Sequence, residues 1–147
     1  MRMSNEEYAA FVDSLSPRSP IWGDLLRAGL VGGAICTVGQ VLVNLYEHWG
    51  ASATVAATWC SITLVFLGAL LTGLGVYEAL ARFAGAGSLV PITGFANSVV
   101  SPALEFKTEG FVTGTAVKIF TIAGPVIVYG ISASVIYGLI LAVFGLA

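Results

Sequence analysis

Charge is what this chain has least of. Its 147 residues hold six Lys or Arg, eight Asp or Glu and a single His, so charged side chains make up only 10%. A net charge of -2 with no run of Lys or Arg argues against a nucleic-acid partner and against an anionic-lipid patch. His48 has no second His with which to hold a metal or relay a proton, and it reads as an imidazole at a membrane interface. The two cysteines, Cys36 and Cys60, fall inside apolar runs, where thiols behave as small apolar residues, so neither a disulfide nor a metal site is expected. No Ser, His and Asp constellation is present, and no phosphate-cradling Gly loop ends in Lys and Ser or Thr. The step from Gly85 to Gly87 is too short for a nucleotide fingerprint. No enzyme activity and no cofactor are expected.

What fills the chain instead is apolar: 57% of residues, with a mean hydropathy of +0.93. Charged residues leave long gaps from Ala28 to Tyr46, Trp49 to Tyr77, Phe83 to Leu104 and Ile119 to Ala147. A helix needs about 20 apolar residues to cross the hydrocarbon at 1.5 Å per residue. Three gaps therefore read as spans, at about residues 28–45, 54–76 and 119–144. The polar residues ahead of the first span, and the absence of a small-residue cleavage site, speak against a signal peptide, and the N-terminus is expected to be kept.

The stretch 83–104 is apolar enough to enter a bilayer yet is punctuated by Gly85, Gly87, Pro91, Gly94, Asn97, Ser98, Ser101 and Pro102. Lipid cannot satisfy a bare amide or carbonyl, so a broken helix at membrane depth must be sheltered by protein or line a wet cavity. Charge bias favours re-entry. Arg2, Arg18 and Arg27 precede the first span, Arg82 follows the second, and the connection between them has Glu47 and His48 but neither Lys nor Arg. If 83–104 dips in and returns, Lys107 and Lys118 join the other four on one side, which the positive-inside rule makes cytoplasmic. The expected fold is an all-α integral membrane protein with three transmembrane helices and a broken re-entrant helical hairpin. Its tip lies near Pro91 to Gly94, and 97–103 forms the returning half-helix.

Residues 1–23 form a separate N-terminal region, and 24–147 a polytopic membrane domain. Within the former, Ser4 and Glu7 have the spacing of a capping box. Tyr8, Phe11, Val12 and Leu15 give the helix they open an apolar face, and Pro17 and Pro20 end it. That helix either lies among headgroups or docks a soluble partner.

Thr37, Gln40 and Asn44 share one face of the first span, which is either bonded to a neighbouring helix or walls a hydrophilic path. Thr93, Asn97, Ser98 and Ser101, with Gln40 and Asn44, are the candidate path residues. Gly85, Gly87, Pro91, Gly94 and Pro102 are candidate hinge or gate positions. Glu105, Lys107 and Glu109 follow the broken segment as charges at its mouth or as a solvated loop, and lack the oxygen-rich loop of a dedicated calcium site. Glu78 and Arg82 have the spacing of an intrahelical ion pair. The pairs Gly29/Gly33 and Ala69/Gly73 and the series Gly130, Ser134, Gly138 indicate close helix packing. Pro125 is expected to kink the last span.

The run GAGSLVPITGFANSVVSPALE at 85–105, with LTGLGVYEAL at 71–80 and GGAICTVGQ at 32–40, closely resembles the stage V sporulation AC protein family. The capped N-terminal extension also looks more like AC than like the related AEb subunits. The resemblance implies a subunit of a spore inner-membrane complex that moves dipicolinic acid, as its calcium chelate, into the developing spore and out at germination. It also implies an AEb-type membrane partner and an AD-type soluble partner, in a homo- or hetero-oligomer. A tension-gated pore of low selectivity and a non-conducting scaffold for a soluble partner are the alternatives.

Overall fold

The computed structural model describes residues 4–15 and 20–145, and every regular element among them is helical. The expected break at Pro17 and the charges Arg2 and Arg18 lie outside the described residues. Helix α1, Asn5–Leu15, opens with the reciprocal capping box: the Glu7 amide donates to Ser4 Oγ at 3.2 Å, and the Ser4 amide donates to Glu7 Oε2 at 2.9 Å.

Three helical stretches are long and apolar enough to cross a membrane: α2, Ile21–His48; α3, Ala53–Gly73; and the continuous run Phe111–Val143. Helix α2 overruns the expected 28–45 at both ends. It stops at Gly50, whose φ of +93° suits a left-handed cap. The Gly50 amide there donates to the Glu47 carbonyl, and the Ala51 amide to Tyr46. The chain turns straight into α3, and Tyr46 stacks edge-on against Trp49 and Trp59 at that end. Helices α2 and α3 are antiparallel neighbours, with Cys60 Sγ donating to the Gly39 carbonyl at 3.3 Å and the Tyr46 hydroxyl 2.6 Å from Thr63 Oγ1.

The second span ends at Gly73, three residues before the expected Val76. Gly75 adopts a φ of +74° and its amide bonds the Thr72 carbonyl, which closes α3 and starts a new helix in another direction. That helix is α4, Val76–Ala84, with Tyr77 and Ala84 turned inward and Glu78 and Arg82 outward. The stretch 83–104 is broken, as its sequence demands, at Gly85 and again at 90–91. Between the breaks lies the single turn α5, Ala86–Leu89, and after them α6, Ile92–Glu105. Helix α6 starts five residues before the expected half-helix and runs unbroken through Pro102.

Two contacts set the direction of α6. Thr93 lies against Gly68 of α3, and further along each helix Thr72 Oγ1 lies 3.0 Å from the Asn97 side-chain amide. Both helices advance the same way, so α6 runs parallel to α3. A 3-10 turn, Lys107–Glu109, follows. The next turns, Phe111–Ala116, are π-helical, with the Thr115 amide bonded to the Gly110 carbonyl five residues back, and they lead into α7, Val117–Val143. Helix α7 is continuous through Pro125, which deprives the Thr121 carbonyl of its helical donor.

The glycines that mediate close packing are not the ones the small-residue spacing selects. A side chain at Gly29, Gly33, Gly73, Gly130 or Gly138 would meet nothing within 4 Å. The backbone contacts instead fall at Gly87, pressed on Ala28, and at Gly68, pressed on Thr93. A β-carbon on Gly87 would collide with the Ala28 carbonyl oxygen, and backbone cannot swing aside as a side chain can. Gly87→Ala is expected to destabilise the fold by about 2 kcal/mol, while Gly73→Ala, where nothing lies within 4 Å, leaves it unchanged. Thermal unfolding of the two variants in detergent checks this.

A polar cleft beside the broken segment

The broken segment is held by one buried side chain. Tyr77, 1% exposed, reaches from α4 to place its hydroxyl 2.6 Å from the Ser88 carbonyl and 3.0 Å from Thr93 Oγ1. Its single proton is committed to the carbonyl, the stronger acceptor at the shorter distance. Ser88 Oγ in turn donates to the Gly85 carbonyl at 3.1 Å. The Ser88 carbonyl at the second break is thus partnered by a side chain, while the Gly85 carbonyl at the first also accepts from the Ser88 and Leu89 amides.

Next to this knot the outer faces of α3, α4 and α6 enclose a cleft of about 430 Å³, lined by Thr72, Gly75, Glu78, Ala81, Asn97, Ser101, Leu104 and Glu105. Spacing predicts part of it: Asn97 and Ser101 are four apart, and Glu105 continues the same face of α6. The opposite wall comes from residues that the sequence reading treats otherwise. Thr72 carries no expectation there, and its hydroxyl lies 2.7 Å from the Gly68 carbonyl and 3.0 Å from Asn97. Glu78 forms the expected pair with Arg82 at 2.5 Å, but both side chains are largely exposed and Glu78 also borders the cleft. The arrangement offers half-buried neutral amide and hydroxyl groups and two exposed carboxylates, one of them paired with Arg82 outside the cleft.

The other candidate residues separate. Thr93 is buried against Tyr77 and Ser98 spends its hydroxyl on the Phe95 carbonyl, so neither lines the cleft. Gln40 and Asn44 do not approach α6. Gln40 adjoins Gly39, which meets Cys60, whereas Asn97 meets Thr72. The twelve residues between those points on α3 amount to roughly 18 Å. Of the proposed hinge positions, Gly85 and Pro91 stand at the breaks. Gly87 and Gly94 are buried, the latter closely packed on the Ser88 and Leu89 carbonyls, and Pro102 is inside α6. Lys107 and Glu109 are exposed in the 3-10 turn.

The Lys and Arg among the described residues gather at one end of the helices. Arg27 lies over the Phe83 ring at 5.4 Å, Arg82 pairs with Glu78, Glu78 shares the cleft with Glu105, and Lys118 lies over the Phe106 ring at 4.6 Å. The α2–α3 connection at the opposite end has none. No group of His, Cys, Asp and Glu among the described residues has the arrangement of a metal site.

Sequence comparison assigns this architecture. The family model of the SpoVAC/SpoVAEB sporulation membrane proteins matches residues 24–140, from the start of α2 nearly to the end of α7. The chain belongs to that family. It is 46% identical over 136 residues to stage V sporulation protein AC of Bacillus subtilis (strain 168), covering 92% of this chain and 91% of that relative. No solved structure matches it. The chain is thus a sporulation membrane protein of the SpoVAC/SpoVAEB family, which is not a known enzyme family. Both walls of the cleft and the Tyr77 knot lie inside the matched region.

Removing the Tyr77 hydroxyl strands the Ser88 carbonyl, and a buried unpartnered group costs about 1–3 kcal/mol. Tyr77→Phe is expected to lower the unfolding midpoint and to expose the α4–α6 backbone to hydrogen exchange while α2 and α3 stay protected. Hydrogen exchange in detergent measures both.

Proposed function

We propose that the chain is a subunit of a membrane channel that moves dipicolinic acid, as its calcium chelate, across the spore inner membrane. The cleft between α3, α4 and α6 carries this reading. Dipicolinate is a planar dianion whose calcium chelate is nearly neutral, so it needs a wide polar path and not a ring of one charge sign. Asn97 and Ser101 offer uncharged partners for carboxylate oxygens, while Glu78 and Glu105 at the rim attract the metal edge of the chelate and Arg82 its carboxylate edge. AEb-type and AD-type partners complete the assembly, the first closing the path laterally and the second capping it. The sequence carries no nucleotide-binding motif, so on this reading any driving force comes from elsewhere.

Segment 83–104 is re-entrant on this reading. The parallel course of α6 and α3, and the clustering of Arg27, Arg82, Lys107 and Lys118 at one end, support it, and the positive-inside rule makes that end cytoplasmic. The breaks at Gly85 and Pro91 are where the hairpin shifts to gate the path.

Two experiments test the reading. In liposomes loaded with calcium dipicolinate and containing the chain with its partners, N97L/S101L is expected to reduce efflux about tenfold, the equivalent of one to two lost hydrogen bonds. Thr58→Val on the outer face of α3 has no effect. Unchanged efflux in the double variant removes the cleft from the path. Cysteines placed singly between 88 and 106 are expected to react with a membrane-impermeant maleimide from the cytoplasmic face alone. Labelling of the early positions from the other face contradicts re-entry.

A further inference from the structure

Helix α2 has three faces. Ala28, Gly32, Gly39 and Tyr46 turn towards α3 and α5, and Leu30, Val38, Val41 and Leu45 form an exposed apolar face. The third face is different in kind. Gly29, Gly33, Cys36, Thr37, Gln40 and Asn44 follow one another at helical spacing, all exposed, with nothing packed on either glycine.

Gln40 lies seven residues before Glu47, so its amide sits roughly 10 Å inside the apolar stretch. Within the described residues the only partner of the Gln40 amide is Asn44, through a bond of 2.8 Å from Gln40 Nε2 to Asn44 Oδ1. That bond leaves Gln40 Oε1 free to accept, and leaves the second Gln40 hydrogen and both hydrogens of Asn44 Nδ2 free to donate. Acyl chains satisfy none of them.

We infer that this face of α2 is a self-association surface whose partner is α2 of a second copy of the chain, crossing in parallel about a two-fold axis along the membrane normal. The amide pair carries both a free acceptor and free donors, so it complements itself: Gln40 Oε1 of one copy accepts from Gln40 or Asn44 of the other. A partner needing only acceptors or only donors would leave half of the set unmet. Copies inserted with the same topology can meet only in parallel, which brings equal depths together and places Gln40 opposite Gln40. The open glycines at 29 and 33 allow the backbones to approach on the same stripe. The surface is independent of the cleft, since no α2 residue lines it.

Cys36 lies on the stripe and is exposed, whereas Cys60 is buried on α3, so the native thiols report the contact. The full chain is reconstituted alone in liposomes at high lipid dilution and treated with a short bis-maleimide. Wild type is expected to give a cross-linked dimer that Cys36→Ser abolishes. Q40L/N44L is expected to weaken dimerisation about tenfold, with helix content by circular dichroism unchanged, while N97L/S101L leaves it intact. Equal cross-linking of wild type and Q40L/N44L overturns the inference. So does equal cross-linking through a cysteine at Val38 in the Cys36→Ser background, or a dimer that forms only when a different membrane subunit is added.

Discussion

A chain that breaks a helix inside an apolar stretch has to find partners for the amides and carbonyls it frees, and here the Tyr77 hydroxyl on the Ser88 carbonyl is the decisive one. Each such group left bare in hydrocarbon costs several kcal/mol. The single turn α5 closes only its own first carbonyls, at Gly85 and Ala86, so its position depends on what surrounds it. Tyr77 supplies a donor from α4, and Gly87 lets the turn press on the Ala28 backbone. Gly68 similarly admits the start of α6 against α3. Because these contacts come from three different helices, the break and the helices around it form one packed unit. The cleft inherits its shape from that unit, since Asn97 and Ser101 face Thr72 and Glu78 only when α6 begins level with Gly68.

Local chemistry was legible in the chain and non-local pairing was not. The Ser4–Glu7 box, the Glu78–Arg82 pair and the breaks near Gly85 and Pro91 follow from residues within four positions of one another, and the structure has them. Pro102 reads as a further interruption, but a proline removes one hydrogen bond without ending a helix whose other turns are packed, and α6 continues through it. The small-residue pattern did not select the glycines that make close contact within the chain. Gly32, Gly39 and Gly68 pack within the chain, whereas Gly29 and Gly33 look outward.

The cleft was half legible for the same reason. A polar stripe on one helix can be read from spacing, so Asn97, Ser101 and Glu105 stand out. Thr72 passes for an ordinary hydroxyl bonded back to its own helix and Glu78 for half of a surface ion pair, and only tertiary structure shows that each has a second neighbour. Gln40 and Asn44 stand apart from the cleft because polarity along a helix carries no information about which neighbour it faces.

The exposed Glu78–Arg82 pair contributes under about 1 kcal/mol to stability, so its partners can be exchanged cheaply. On the proposed reading the cleft benefits from that weakness: Glu78 can turn to a metal and Arg82 to a carboxylate without the fold losing a structural tie. A strong buried pair at the same place would resist the exchange. The cleft is also open on its outer side, and association through α2 leaves it open, because no α2 residue lines it. Two copies joined by their Gln40–Asn44 faces therefore present two separate clefts and not one shared conduit. On the proposed function, closing each cleft into a path takes a different surface from another subunit, so self-association and assembly with a second membrane subunit would use different faces of this small chain and would not compete.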